Sequence, residues 1–329
     1  MDGLLRVLDE TAVNTLGGAD IALAIEDVEE VVRLMRKGET QMPAENAIDL
    51  ATPLGKAYAL PARVGGRFNA AGVKWTAHRP FRPDALPAAL AVTLINDAQN
   101  GVPRALLASG ALTAARTAAV SALALKLAAP QAIKRVLVLG YGTHAQAHLR
   151  MLKQVFPDLA ETGVWNRTRD KLYEDASVTC ECDLNAALAK PYDAILSCTS
   201  ADQPLIDETA VRPGRIIVQV GYHEVSFAAI RACCKVVVDA WGDFADRSAK
   251  SLFQMYRAGL FHPHEVDADL CALLLDGWRA APDDSVYFSA FGLNVFDIAL
   301  AARVLQAAES TGTGTVQSLF DGVFHDHRS

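Results

Sequence analysis

Two cations and a glycine pair are the residues of this 329-residue chain whose types and spacing could do chemistry. Lys74 stands inside the apolar segment Ala70-Ala71-Gly72-Val73-Lys74-Trp75. A lysine there either snorkels to water or is held for a purpose. Buried, its pKa falls readily, and it can polarise a carbonyl or imine or exchange protons. From position alone, an exposed lysine on an edge strand is an equal reading. Arg116 sits in Leu112-Thr113-Ala114-Ala115-Arg116-Thr117-Ala118-Ala119, among small neighbours. Such an arginine can make a planar, two-bond contact with a carboxylate, although a solvated helix arginine is the plainer alternative.

The glycine pair lies in Val136-Leu137-Val138-Leu139-Gly140-Tyr141-Gly142-Thr143-His144-Ala145. Gly140 and Gly142 allow a tight turn and close approach of backbone to a pyrophosphate, and Ala145 lets the next helix pack on the strand. A strand enters, a helix from Ala145 to Val155 leaves, and Val164-Trp165 restarts a strand where a βαβ unit needs one. That context favours a dinucleotide site over a structural turn. Where an NAD site usually places an acid for the ribose 2′-hydroxyl, the chain reads Val164-Trp165-Asn166-Arg167-Thr168. Arg167 can pair with a 2′-phosphate, and Asn166 and Thr168 can hydrogen-bond to it. NADP(H) is therefore favoured, with NAD(H) as the alternative.

The elements that must hold these residues follow from the apolar pattern. Leu4–Leu8 reads as a strand, and Asp20 caps a helix carrying Ile21, Ile25, Val28, Val32 and Met35 up to Gly38. From Pro43 to about Leu94, short apolar segments between Gly and Pro predict an antiparallel sheet, followed by a turn at 96–101 and a strand at Arg104–Leu107. Thr113 is expected to cap an alanine-rich helix running to Ala129, stopped by Pro130. Strands at Val136–Leu139, Gly163–Trp165, Ala194–Ser197, Ile216–Val220 and Val236–Val238 alternate with helices, which implies a parallel sheet covered on both faces. A helix over Asn294–Ala308 is apolar on nearly all sides. It must be enclosed, against the N-terminal domain or a partner subunit.

Composition narrows the class. Half the residues are hydrophobic and 31 Lys and Arg face 38 Asp and Glu, so no basic stripe is available for a nucleic-acid partner. No apolar run is long enough to span a membrane and no signal peptide opens the chain, so the expected location is cytoplasmic. The six cysteines, at 180, 182, 198, 233, 234 and 271, read as buried free thiols. His262-Pro263-His264 and His325-Asp326-His327 lack a third ligand at a recognisable spacing, so no metal is expected.

The segments Gly72-Val73-Lys74-Trp75, Leu112 to Ala119 and Gly140 to Gln146 together resemble successive signatures of the ornithine cyclodeaminase/mu-crystallin family. Thr199-Ser200-Ala201-Asp202-Gln203-Pro204, Val236-Val237-Val238-Asp239 and Gly292 through Asp297 continue the likeness over roughly residues 55 to 315. The resemblance implies an α/β fold: a Rossmann doubly wound parallel sheet, residues 126–294, inserted into an α+β substrate-binding and dimerisation domain, residues 1–125 with 295–329. It places the family's carboxylate-binding arginine on Arg116 and its active-site lysine on Lys74. Thr199, Ser200, Ala201 and Gly292 would lie beside the cofactor, with Asp297 a further substrate-site residue.

Departures from the family pattern refine the expected chemistry. Cyclodeaminases of the family carry an aspartate just after the glycine that follows the Ile216–Val220 strand. Here Val220-Gly221-Tyr222-His223-Glu224 puts His223 nearest that place, and histidine is usual there in the imine-reducing and amino-acid-dehydrogenase relatives. An earlier substrate arginine has no clear match, Lys56 being the nearest cation. The short Gly221–Val225 segment, Val238-Asp239-Ala240-Trp241 and Asp246-Arg247 resemble the siderophore-pathway branch, whose members join an amino acid to a 2-oxo acid in opine-dehydrogenase fashion. Arg79 and Arg82 could seat a second carboxylate or form a solvated basic loop. The expectation is a homodimeric NADP(H)-dependent oxidoreductase acting at the C–N bond of a small α-amino or α-imino acid. An ornithine cyclodeaminase using NAD and a non-enzymatic mu-crystallin-like binder are the alternatives.

Overall fold

The chain opens with β1 (Leu4–Leu8), α1 (Glu10–Thr15) and α2 (Ile21–Arg36). Asp9 and Asp20 cap the two helices by accepting from the Ala12 and Leu23 backbone N–H groups. The structure, a computed structural model, describes residues 4–51, 55–79, 87–168, 172 and 177–319. Six strands follow: β2 (Thr40–Gln41), β3 (Asn46–Asp49), β4 (Lys56–Val64), β5 (Ala70–His78), β6 (Ala89–Asp97) and β7 (Pro103–Ala108). The helix α3 then runs from Gly110 to Leu127. Its first intrahelical bond, Thr113 N–H to the Ser109 carbonyl at 3.0 Å, fixes the start three residues before the expected Thr113 cap. Thr113 thus lies within the first turn and Arg116 in the second.

A second layer system begins at β8 (Arg135–Leu139), with α4 (Thr143–Val155), β9 (Glu161–Trp165), β10 (Thr179–Glu181), α5 (Leu184–Ala189), β11 (Ala194–Ser197) and β12 (Ile216–Gln219). It continues through α6 (Phe227–Ala232), β13 (Lys235–Val238), α7 (Ser251–Arg257), α8 (Leu270–Leu275) and β14 (Val286–Ser289). These seven strands form one sheet in the order β10-β9-β8-β11-β12-β14-β13, and every pairing is parallel. β11, β12 and β14 are buried at every residue, as strands covered on both faces must be. The chain winds outward from β8 through β9 to β10, then reverses through β11. The switch point therefore falls between β8 and β11, where open α/β sheets bind ligands.

The last elements are α9 (Asn294–Thr311) and β15 (Thr315–Ser318). β15 joins the sheet of the first strands, whose order is β15-β1-β7-β6-β5-β4-β2, with β3 on β4. Apart from the parallel β1–β7 pair, its pairings are antiparallel. α9 packs on β4, β5 and β6 and against α2, which accounts for its apolar circumference. Gly72 makes that approach possible, because a Cβ there would stand 2.3 Å from the Leu94 carbonyl oxygen and 3.1 Å from Ile298. The chain divides into two compact units, Met1–Arg116 with Leu293–Ser329 and Thr117–Gly292. The first division falls inside α3, nine residues before the expected boundary at 125; Thr113 and Arg116 in its first two turns bond to Asp297 of α9, in the same unit.

Among the described residues no helix is long and apolar enough to cross a membrane. No disulfide joins the six cysteines. Only Cys198 is buried, and Cys182 and Cys234 are exposed, so the expectation of uniformly buried thiols is corrected: those two sit just outside strand ends. His262 and His264 stack 5.5 Å apart on an exposed turn, and His325–His327 lies outside the described residues.

Candidate active site

In the first unit, Lys74 does not lie on an edge. β5 is flanked by β4 and β6, with Lys74 in register between Leu60 and Thr93 on the face that α9 covers. The residue is 3% exposed, and its Nζ donates to Asp297 Oδ2 at 2.8 Å. Arg116 is buried as well, and its Nε donates to Asp297 Oδ1 at 3.3 Å. Thr113, one turn earlier on α3, donates its hydroxyl to the same oxygen at 2.9 Å. Asp297 stands in the first turn of α9, where the unpaired N–H groups favour a carboxylate. Residues separated by 181 and 223 positions thus meet in one buried cluster.

The electrostatics follow from that geometry. Burial pulls Lys74 down to about 8; Asp297 opposes the shift, Arg116 adds to it, and Glu45 opposes it from farther away. Burial raises the Asp297 carboxyl, but Arg116 and Lys74 outweigh it and hold the group below its ordinary value. Two cations share one carboxylate, so the cluster retains affinity for a second anion. Asp297 itself is 1% exposed with both oxygens engaged. An anion so placed orders the two cations and does not grip a substrate carboxylate directly.

Of the other expected substrate residues, Lys56 stands apart from this cluster. Lys56 is exposed, 3.9 Å from Asp49, and pairs in register with His78, about 13 Å along β5 from Lys74. Arg79 follows β5, its N–H donating to the Ala88 carbonyl at 2.8 Å. Arg82 lies outside the described residues.

In the second unit the glycine turn lies at the carboxyl end of β8. Gly140 has φ +103°, and a Cβ there would stand 2.6 Å from the Cys198 carbonyl oxygen, so only glycine fits. Gly142 differs: a Cβ there would meet no protein atom. Gly142 is the N-cap of α4 and makes no side-chain cap, so the first-turn N–H groups of Thr143, His144 and Ala145 begin the helix without one. Ala145 is buried against the sheet. A helix start of this kind, open on the side where Gly142 lacks a side chain, fits a pyrophosphate. At the end of the neighbouring β9, Asn166 donates to the Thr168 carbonyl at 2.6 Å, while Arg167 and Thr168 are exposed.

Beyond β11, the Thr199 backbone N–H and hydroxyl both donate to Glu224 Oε1, at 3.0 and 3.2 Å. Ala201 N–H donates to the Thr199 hydroxyl at 3.2 Å, and Ser200 is exposed between them. Half-buried His223 has its Nδ1 3.3 Å from the Ser251 hydroxyl and 3.4 Å from Gln254 Nε2. Gly292, φ +95°, donates its N–H to Asp239 Oδ2 at 2.7 Å. Glu224 and Asp239 were not singled out as site residues from sequence. Their signal, an acid soon after a largely aliphatic strand, is shared with ordinary surface loops.

A parallel doubly wound sheet with a glycine turn and an uncapped helix at its switch point defines a Rossmann-type α/β fold. More narrowly, the chain belongs to the ornithine cyclodeaminase/mu-crystallin family, whose model matches residues 8–312. It is similar to the N-((2S)-2-amino-2-carboxyethyl)-L-glutamate dehydrogenase of Staphylococcus aureus, 24% identical over 275 residues that cover 80% of this chain and 82% of that one. The fold also matches the Thermococcus litoralis Δ(1)-pyrroline-2-carboxylate reductase solved with NADH and L-proline, at TM-score 0.83, 22% identity and 94% and 99% coverage of the two chains. An archaeal alanine dehydrogenase dimer with bound NAD matches at TM-score 0.84, 23% identity and 96% and 100% coverage.

Proposed function

We propose that this protein is an NADP(H)-dependent oxidoreductase acting at the C–N bond of an α-amino or α-imino acid, as an imine reductase or an opine-type amino-acid dehydrogenase. The observation that carries the reading is the buried Lys74–Asp297–Arg116 cluster, in a family whose members named above act on amino and imino acids. When bound, the nicotinamide dinucleotide supplies or accepts the hydride. Gly140, Gly142 and the first-turn N–H groups of Thr143, His144 and Ala145 hold its pyrophosphate, and Thr199, Ser200, Ala201 and Gly292 line its ribose and nicotinamide. Arg116 grips the substrate carboxylate and so fixes the α-carbon. Lys74 donates to the carboxylate or to the imine nitrogen, its lowered pKa suiting it to give and retake a proton near neutrality. His223 orients substrate or water.

The test is to follow NADPH and NADH absorbance against a panel of cyclic imines and of 2-oxo acids paired with amines. Reduction of one class establishes the reading. Release of ammonia from ornithine without net cofactor change would make the protein a cyclodeaminase, and binding without any turnover would make it a carrier. For the cofactor preference, Arg167 stands exposed at the end of β9 with no carboxylate between Val164 and Thr168. Arg167→Ala is expected to raise KM for NADPH about tenfold and to leave NADH nearly unchanged, as loss of one charge-assisted phosphate pair requires. Equal losses for the two cofactors would remove the phosphate-pairing argument.

A further inference from the structure

Glu224 has no place in the chemistry described so far, yet it is 0% exposed at the carboxyl edge of an aliphatic sheet. A carboxylate is costly to bury unless its lone pairs are met. Oε1 accepts from the Thr199 N–H and hydroxyl at 3.0 and 3.2 Å, and Oε2 lies 3.4 Å from Gln219 Nε2. Gln219 Nε2 also donates to the Ser251 hydroxyl at 3.1 Å, and Ser251 in turn meets His223 Nδ1 at 3.3 Å. Tyr287 donates to Gln219 Oε1 and holds that amide in the orientation the chain of bonds needs. The backbone around Glu224 is tied as well, its carbonyl accepting from Leu205 and Ile206 N–H groups at 2.8 and 2.9 Å.

Two further features show that room is made for the charge. Gly221 is the residue that admits the carboxylate, because a Cβ there would stand 1.9 Å from Glu224 Oε1. Burial raises the Glu224 carboxyl, while the Lys250 ammonium and the donors from Thr199 and Gln219 pull it back. Lys250, itself buried, is anchored on the Val220 carbonyl over the Tyr222 ring. The carboxylate therefore spans the segments after β11 and β12 and reaches, through Gln219 and Ser251, the segment that carries His223.

We propose that Glu224 is the positioning residue of the Thr199-Ser200-Ala201 turn: by holding the Thr199 N–H and hydroxyl it fixes the backbone of the turn, so that Ser200 and Ala201 are presented to the nicotinamide half of the cofactor. The inference rests on the reading above, in which that turn lines the cofactor. Glu224 acts through Thr199, so losses at the two positions must overlap.

The experiment compares Glu224→Gln, Glu224→Asp, Thr199→Ser, Thr199→Val and the double variant Glu224→Gln/Thr199→Val. NADPH affinity is measured by protein-fluorescence titration without substrate, kcat on the substrate found in the panel assay, and stability by thermal melting. Glu224→Gln is expected to lose about tenfold in NADPH affinity or kcat with a melting temperature near wild type. Thr199→Val should lose a similar amount, Thr199→Ser should restore function, and the double variant should be no worse than either single. If Glu224→Gln fails to fold, Glu224→Asp, which keeps the charge but withdraws it by one methylene, carries the same comparison. Independent, multiplying losses overturn the inference, as does a drop in melting temperature with unchanged affinity and kcat. Wild-type protein that binds neither NADPH nor NADH overturns the proposed function and this inference together. Cofactor binding and turnover untouched by either Glu224 variant overturn the inference alone.

Discussion

Lys74 illustrates how a single burial changes what a side chain can do. Desolvation brings its amine to about 8, within reach of a proton-transfer role, while Asp297 prevents a deeper fall. Below that pH the group is an ammonium able to donate; above it the free amine can accept. In the reductive direction, kcat/KM is therefore expected to decline with unit slope above about pH 8, and in the oxidative direction to rise through the same value. Profiles in both directions that ignore this window would remove Lys74 from proton transfer. Asp297→Asn leaves two buried cations without their shared anion. The expected cost is about 3–5 kcal/mol, read as a lowered urea midpoint with unchanged m-value.

The glycine turn between β8 and α4 separates a fold requirement from a ligand requirement. Gly140 is demanded by the protein itself, through its positive φ and the Cys198 carbonyl against its open side. Gly142 has no such internal reason, since a methyl group there meets no protein atom. Gly140→Ala is thus expected to destabilise the chain by about 1–3 kcal/mol, measured by thermal or urea unfolding. Gly142→Ala should melt like wild type yet lose dinucleotide affinity in a titration. Normal cofactor affinity in Gly142→Ala would show that backbone at this point does not approach a ligand. α9 makes a related point: its all-round apolarity is answered by a sheet on one side and α2 on another.

The antiparallel sheet has one face under α9 and another that is unusually apolar. On that second face Ala59, Trp75 and Val92 stand in register across β4, β5 and β6, with Ala77 and Leu90 beside them. Trp75, Leu90 and Val92 are exposed in the single chain and adjoin one another across β5 and β6, and clustered apolar surface of this kind marks association sites. We propose that two copies pair across this face. Sedimentation is expected to give twice the 35.2 kDa chain mass. Trp75→Asp combined with Val92→Asp should bring it to the monomer value, and a wild-type monomer at micromolar concentration would refute the pairing.

The parallel sheet, its glycine turn and the enclosed last helix were legible along the chain, because each is written in local periodicity or in glycines that only certain turns need. β10 and β15, short and poor in aliphatic residues, carried too little pattern to be read. Lys74 and Arg116 were visible as oddities, but whether either was buried depended on partners about 180 and 220 positions away. Glu224 was not legible at all. Its role comes from a glycine that admits it and from donors on another strand's loop, and no spacing rule records such a convergence. What residue order determined by itself was the set of elements and the kind of turn between β8 and α4. Which charges share one low-dielectric space was decided only by tertiary packing, since electrostatic coupling depends on distance and burial and not on separation in sequence.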